Sequence, residues 1–313
     1  MTKRFSASSA AQLIQCPGSA NLELAIPGYV EPKRDEMAGA KGVGTRMHDS
    51  FRPLATWDMT ALDDLRLFMY HYSKLHWKKR RALLEDWTTT ESEEILYMMV
   101  PSWSQRRIST AMDWVSELDA EEKLPPQMLV YVQQTIEELY NLRAYYGPEF
   151  YQTFAEKSIE CSWLKSNPMT TPDIVFVLPQ HKRLIIVDYK TGKIPVSPVA
   201  NDQLMFYAVS ALHAYSVGTD QWSDDLTIQM VIWQPGHHES WETDLQTLKQ
   251  WKMQAHAADL RIERKDLTLR PGSACTFCPA NPHSRGDKAP PYCPAQMSLL
   301  YPSNTDEEAV LDL

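Results

Sequence analysis

Two aspartates and a lysine are the first residues in this sequence whose types and spacing could support a reaction. Fourteen residues separate Asp173 from Asp188, and Lys190 follows two positions later. On a hairpin this spacing brings both carboxylates to neighbouring strand ends, with Asp188 and Lys190 on one face. Carboxylates suit Mg²⁺ or Mn²⁺, and a lysine beside them suits phosphodiester hydrolysis. The alternative is that all three are ordinary surface charges, because short motifs often arise by chance.

Cysteines form the second group. Cys275 and Cys278 make a Cys-x-x-Cys pair, Cys293 follows after fourteen residues, and Cys16 lies far away in the sequence. Five cysteines so unevenly placed do not indicate a disulfide framework in a chain of this size, which favours metal binding. Four thiolates suit either Zn²⁺ or a 4Fe-4S cluster, and spacing alone does not choose between them. Cys161 is predicted to be a core thiol without a function.

The elements that position these residues follow from hydrophobic periodicity. Runs rich in β-branched residues predict strands of one sheet over 158–163, 173–177, 184–190 and 226–234, with a turn at 179–181. Helical spacing predicts helices over 201–215 and 243–265, and a short helix over 6–16 that ends where Pro17 and Gly18 follow Cys16. The predicted fold class is α/β, with a mixed central sheet flanked by helices.

A long segment between these regions has a different pattern. Residues 58–146 contain no glycine and place apolar residues three and four apart, which is typical of amphipathic helices. We therefore predict four regions, which are N-terminal helices over 1–57, a helical insertion lobe over 58–150, an α/β core over 151–266 and a cysteine-bearing segment with an acidic tail over 267–313.

The predicted lobe carries a basic run of four residues. The run consists of Lys78, Lys79, Arg80 and Arg81, preceded by His76 and Trp77. It is either a solvated helix face or a patch that follows a phosphate backbone, with the aromatic neighbours stacking on bases.

Composition restricts the remaining choices. The formal net charge of -9 does not favour nucleic-acid binding by the chain as a whole, so local patches must make any such contact. The longest apolar runs are far shorter than the roughly 20 residues that cross a bilayer, and the first residues lack a secretory signal. These features predict a cytoplasmic protein without a membrane segment. The glycine-rich stretch that ends at Thr45 has threonine where a phosphate-binding loop needs lysine, so we expect no ATP binding.

Taken together, the motifs resemble the RecB-like branch of the PD-(D/E)XK nuclease superfamily, including iron-sulfur phage exonucleases and CRISPR adaptation nucleases. The resemblance covers residues 6–52 and 156–295. The matching pieces, in the family's order, are Cys16-Pro17, Gly44-Thr45-x-x-His48, Glu160, Pro172-Asp173, Asp188-Tyr189-Lys190-Thr191-Gly192, Gln203-x-x-x-Tyr207 and Cys275, Cys278, Cys293.

The resemblance implies a role for each of these residues. His48, Asp173 and Asp188 would bind Mg²⁺ or Mn²⁺ together with the backbone carbonyl of Tyr189, and Lys190 would be the catalytic lysine. Glu160 would face inward as an auxiliary acid. Gln203 and Tyr207 would lie beside the active site and contact DNA. Cys16, Cys275, Cys278 and Cys293 would hold a 4Fe-4S cluster, forming a clasp that joins the termini of a restriction-endonuclease-like core.

The expected activity is exonucleolytic hydrolysis of linear single- or double-stranded DNA, for end resection in recombination, repair or phage replication. A recombination protein is then a candidate partner. Two alternatives stay open, which are a catalytically silent DNA-binding or scaffold subunit and a CRISPR-type nuclease that trims ends only with its partners. The complete set of Asp173, Asp188 and Lys190 favours an active enzyme.

Overall fold

A computed structural model describes residues 5–28, 50–56, 58–119, 124, 126–147, 152–192, 194–215, 224–281 and 293–300. The described helices are α1 (Ala10–Gln15), α2 (Leu22–Ala25), α3 (Met59–Tyr72), α4 (Trp77–Glu85), α5 (Thr90–Met99), α6 (Gln105–Leu118), α7 (Pro126–Tyr146), α8 (Asp202–Tyr215), α9 (Leu245–Glu263) and α10 (Pro294–Leu300). The strands are β1 (Gln152–Ala155), β2 (Ile159–Glu160), β3 (Met169–Thr170), β4 (Ile174–Leu178), β5 (Arg183–Tyr189), β6 (Thr227–Gln234) and β7 (His237–Asp244). Residues 50–54 are also helical.

The main sheet has five strands in the order β1-β4-β5-β6-β7. Among the described strands, β5 and β6 pair in parallel and the other neighbours pair antiparallel, and α8 forms the crossover between β5 and β6. The sheet is therefore mixed, as predicted, and helices flank it. The antiparallel register of β4 and β5 pairs Ile174 with Val187, which brings the preceding Asp173 to the end of β5.

The edges of the sheet differ from the sequence-based prediction. The edge strands β1 and β7 were not predicted, and β7 covers residues that were expected to be a loop leading into a helix. Polar residues dominate β7, because an edge strand with an exposed face does not need an apolar alternation. The strand predicted over 158–163 is only two residues long and pairs with β3 in a separate two-stranded sheet.

Each face of the main sheet is covered by its own hydrophobic core. On β5, Ile185, Val187 and Tyr189 pack with the helical lobe α3–α7, whereas Leu184 and Ile186 pack with α8 and α9. Since side chains alternate along a strand, Asp188 lies on the α8 face. The buried residues of the lobe and those on the lobe face of β4 and β5 form one continuous hydrophobic core. The described part of the lobe therefore shares its core with the sheet.

The N-terminal segment packs against the chain that follows α9. The backbone amide of Gly18 donates to the carbonyl of Thr268 at 3.0 Å. A Cβ atom at Gly18 would lie only 2.5 Å from the carbonyl oxygen of Leu267, so this close approach requires glycine. The contact brings Cys16 next to the segment that carries Cys275 and Cys278.

In the part of the chain that the structure covers, no helix combines the length and the apolar character needed to span a membrane.

Candidate active site and cysteine cavity

The two predicted aspartates meet where β4 begins and β5 ends. Both are buried, with Asp173 5% and Asp188 2% exposed. The carboxylate of Asp173 accepts a hydrogen bond from the backbone amide of Tyr189 at 2.5 Å. Burying a carboxylate costs several kcal/mol unless it is paired or hydrogen-bonded, so two such groups at one strand end require compensating partners.

Lys190 and Gln203 supply those partners for Asp188. The Nζ atom of Lys190 lies 2.6 Å from Oδ2 of Asp188 and donates to Oε1 of Gln203 at 3.0 Å. The amide nitrogen of Gln203 donates to Oδ1 of Asp188 at 3.1 Å and to the hydroxyl of Tyr207 at 2.8 Å. One amide thus joins the carboxylate, the lysine and the tyrosine, so Gln203 and Tyr207 lie beside Asp188.

The start of α8 explains why Gln203 is so placed. The side-chain oxygen of Asn201 accepts hydrogen bonds from the backbone amides of Gln203 and Leu204, which caps the first turn of the helix. Tyr207 lies one turn further along the same face. Burial raises the pKa of Tyr207, and the charge of Asp188 raises it further, so its phenol stays protonated at neutral pH.

Glu160 does not have the inward orientation that was expected. It lies on β2, is exposed, and accepts a hydrogen bond from the side chain of Asn167 at 2.5 Å. Cys161 is the inward residue of the pair and is fully buried, as the alternation of a strand predicts.

Glu156 is an acid near the site that the sequence did not indicate. It directly follows β1, and its backbone amide donates to the carbonyl of Asp173 at 2.9 Å. Its carboxylate is close enough to raise the pKa of both Tyr189 and Tyr207, after the larger effect of burial. The pairing of β1 with β4 places it there, and no local motif marks it.

The predicted metal ligands are only partly covered by the structure. His48 lies outside the described residues. Tyr189 is buried with its ring on the lobe face, 4.7 Å from the ring of Phe51 between centroids. Among the residues that are described, no group of three or more His, Cys, Asp or Glu side chains is arranged to hold a single metal ion. The oxygen donors of Asp173 and Asp188 are nevertheless of the type that Mg²⁺ and Mn²⁺ prefer.

The four cysteines of the predicted clasp line one cavity. Its lining includes Cys16, Cys275, Cys278 and Cys293. Cys16 comes from the end of α1, and the other three come from the chain beyond α9. These two segments, which are far apart in the sequence, therefore border the same cavity.

Hydrogen-bond donors point at three of these sulfurs. The backbone amide of Arg270 donates to Cys16 at 3.3 Å, that of Gly272 donates to Cys275 at 3.3 Å, and the side-chain amide of Gln12 donates to Cys278 at 3.5 Å. N–H groups directed at sulfur stabilise thiolates and are among the contacts that tune iron-sulfur centres. Burial raises the pKa of Cys278, and the neighbouring cysteines raise it further.

Cys161 is separate from this cavity. Its Sγ atom lies 3.2 Å from the hydroxyl oxygen of Ser210, and burial raises the pKa of Cys161 to about 11. A thiol with that pKa is a poor nucleophile and a poor metal ligand at neutral pH.

The basic run is divided by the packing of α4. Arg80 is buried, and its guanidinium lies 3.3 Å from the carboxylate of Asp119. Arg81 is exposed but pairs with Glu85 at 2.7 Å. Lys78 and Lys79 are exposed. A contact with phosphates is therefore limited mainly to these two lysines.

One known protein family matches nearly the whole chain. Residues 3–298 match the family described as "Protein of unknown function (DUF2800)". The chain belongs to the DUF2800 family. The match includes Cys16, the helical lobe, the carboxylate site and Cys293, so the DUF2800 region contains both the candidate active site and the cysteine cavity.

Proposed function

We propose that this protein is a metal-dependent DNA exonuclease of the RecB-like branch of the PD-(D/E)XK superfamily. The observation that carries the proposal is the buried network in which Lys190 and Gln203 both contact Asp188, next to Asp173. A buried carboxylate pair with an adjacent lysine is costly for folding, and such groups are concentrated where chemistry is performed. The mixed sheet, with its β4–β5 hairpin and the α8 crossover, supports a restriction-endonuclease-like core.

The proposed reaction is hydrolysis of a DNA phosphodiester bond. Asp173, Asp188, His48 and the carbonyl of Tyr189 would hold Mg²⁺ or Mn²⁺, which supplies Lewis-acid activation of the phosphate and lowers the pKa of a bound water. Lys190 provides a positive charge that orients the attacking water or stabilises the developing charge on the phosphate.

Gln203 holds the side chains of Lys190 and Asp188 in fixed positions relative to each other during this reaction. Its amide accepts from the lysine and donates to the carboxylate, so rotation of either side chain breaks a hydrogen bond. Tyr207 fixes the amide in turn. At 7% exposure Tyr207 presents little surface to a substrate, so any DNA contact at this position is made chiefly by Gln203.

We further propose that Cys16, Cys275, Cys278 and Cys293 hold a 4Fe-4S cluster with a structural role. The shared cavity and the three N–H donors directed at sulfur support a set of thiolate ligands. The cluster would act as the clasp between the N-terminal helices and the C-terminal segment.

DNA is the proposed partner, and end resection in recombination, repair or phage replication is the proposed role. Lys78 and Lys79 would contact the phosphate backbone. The ring of Trp77 is 47% exposed, with Nζ of Lys78 5.7 Å from its centroid, so it is available to stack on a base. A recombination protein would receive the processed strand.

The test is cleavage of end-labelled linear DNA by the purified protein with Mn²⁺ or Mg²⁺. We expect progressive shortening from an end, loss of activity in EDTA and recovery when the metal is restored. Binding without cleavage under all these conditions would instead indicate a silent DNA-binding or scaffold subunit. Cleavage that appears only when partner proteins are added would indicate a partner-dependent trimming nuclease.

A further inference from the structure

The carbonyl oxygen of Trp233 joins the helical lobe to the strand that carries the candidate catalytic lysine. The hydroxyl of Tyr131, on α7, donates to this oxygen at 2.7 Å. The backbone amide of Lys190 donates to the same oxygen at 2.9 Å. A carbonyl oxygen has two lone pairs, so it can accept both hydrogen bonds at once. The lobe and Lys190 therefore share one acceptor.

The surroundings of this acceptor are closely packed. Tyr131 is 1% and Trp233 3% exposed. The ring of Tyr189 lies 5.6 Å from that of Trp233, and Phe51 packs against both Tyr189 and Tyr131. Burial raises the pKa of Tyr131 well above its usual value, so its hydroxyl stays protonated and remains a donor at neutral pH.

Lys190 is in a position where this support matters. It is the first residue beyond β5, so the hydrogen bond from its backbone amide to the Trp233 carbonyl extends the β5–β6 ladder by one position. From there its side chain contacts Asp188 and Gln203 on the α8 face of the sheet, which is the face opposite the lobe. A rotation of the Trp233 peptide would therefore move the origin of the Lys190 side chain.

We propose that Tyr131 is a positioning residue for Lys190, acting through the Trp233 carbonyl. The helical lobe then aligns the end of β5 from the face of the sheet opposite α8. This inference rests on the proposed nuclease function. A misplacement of about 1 Å can cost roughly 100-fold in rate, and loss of one hydroxyl should shift the peptide by less. We therefore expect a loss of about fivefold to tenfold in kcat.

The first experiment compares Tyr131→Phe with Tyr72→Phe. Tyr72 is a matched control because it is also fully buried in the lobe and its hydroxyl donates to Asp119 at 3.1 Å. For cleavage of linear DNA, Tyr131→Phe should lower kcat by about fivefold to tenfold with KM within about twofold of wild type. Tyr72→Phe should leave kcat within about twofold. An unchanged kcat in Tyr131→Phe, or an equal loss in Tyr72→Phe, would overturn the proposal.

A second experiment tests whether Tyr131 acts through Lys190. In a Lys190→Ala background, Tyr131→Phe should cause no further loss of the residual activity, because the group it positions is absent. Losses that multiply would mean that Tyr131 supports the fold by another route.

Hydrogen exchange of the Lys190 amide provides a readout that needs no activity. Tyr131→Phe should speed exchange in a peptide that covers residues 188–192, while Tyr72→Phe should not. If the wild-type protein cleaves no DNA, the proposed function fails, yet this measurement still decides the positioning. Unchanged exchange at Lys190 in Tyr131→Phe would overturn the inference even in an active nuclease.

Discussion

The carboxylate site and the cysteine cavity both collect groups that are costly to bury, but they balance that cost differently. At the carboxylate site the protein itself supplies the compensation, since Lys190 and Gln203 both contact Asp188. In the cysteine cavity, burial and then the neighbouring cysteines raise the pKa of Cys278, so the thiolates would repel one another. The first site is thus assembled by the fold, whereas the second would gain stability if the proposed cluster neutralised its thiolates.

The two sites also draw on different lengths of chain. The carboxylate site uses a short stretch, since Asp173 directly precedes β4, Asp188 and Lys190 lie at the end of β5, and Gln203 lies at the start of α8. The cavity instead joins Cys16 to residues beyond α9, so a bond across it closes a very long loop. We therefore expect changes at the carboxylate site to alter chemistry, and changes at the cysteine cavity to alter stability.

The largest expected effect separates chemistry from folding. Asp188→Asn and Lys190→Met should each reduce kcat/KM on linear DNA by roughly 100-fold to 1,000-fold, because the first removes a charged metal ligand and the second removes the positive charge near the reacting phosphate. The far-UV circular dichroism spectrum should stay the same. Wild-type cleavage by either variant would remove these residues from the active site.

At the cysteine cavity we expect a loss of stability with little direct loss of activity. Cys16→Ser should lose iron and sulfide and lower the free energy of unfolding by an amount on the order of 2–4 kcal/mol, since a cross-link that closes a long loop restricts the unfolded chain. Activity should fall only with the folded fraction. The measurements are metal and sulfide analysis after anaerobic purification, with chemical denaturation.

Cys161→Ser is the control for this prediction. The iron content of this variant should equal that of wild type, because Cys161 lies away from the cavity and is hydrogen-bonded to Ser210. Stoichiometric zinc without sulfide would reject the cluster, and full iron in Cys16→Ser would reject the clasp.

A smaller effect distinguishes the two acids near the strands. Glu156→Gln should lower activity by roughly tenfold, the usual cost of removing a group that supports metal ligands. Glu160→Gln should change it by less than about twofold, because Glu160 is exposed and bonded to Asn167. The measurement is the Mn²⁺ dependence of cleavage. The reverse ranking would restore Glu160 as the auxiliary acid.

The smallest effect concerns DNA contacts far from both sites. Replacing Lys78 and Lys79 by Ala should weaken binding a few-fold and reduce the slope of log affinity against log salt by about 1 to 2, since each phosphate contact releases a counterion. Arg81→Ala is the control, because Arg81 already pairs with Glu85. Equal slopes in wild type and the double variant would leave these lysines as a solvated face.

The sequence predicted the central part of the fold well. The apolar runs of β4, β5 and β6 and the helical periods of α8 and α9 are local patterns, and each was located within a few residues. The edge strands β1 and β7 were missed because edge strands need little apolar alternation, and their pairing partners, not their composition, define them.

By itself, the sequence determined which residues could share a strand face or a helix face. The strand period of two predicts that Asp188 and Lys190 share a face, and the helical spacing of four predicts the same for Gln203 and Tyr207. Only the tertiary structure decided that Arg80 is buried against Asp119, that Glu156 lies opposite Asp173, and that Trp233 links Tyr131 to Lys190. The physical reason is that periodicity is local, whereas register and packing depend on contacts between segments distant in the chain.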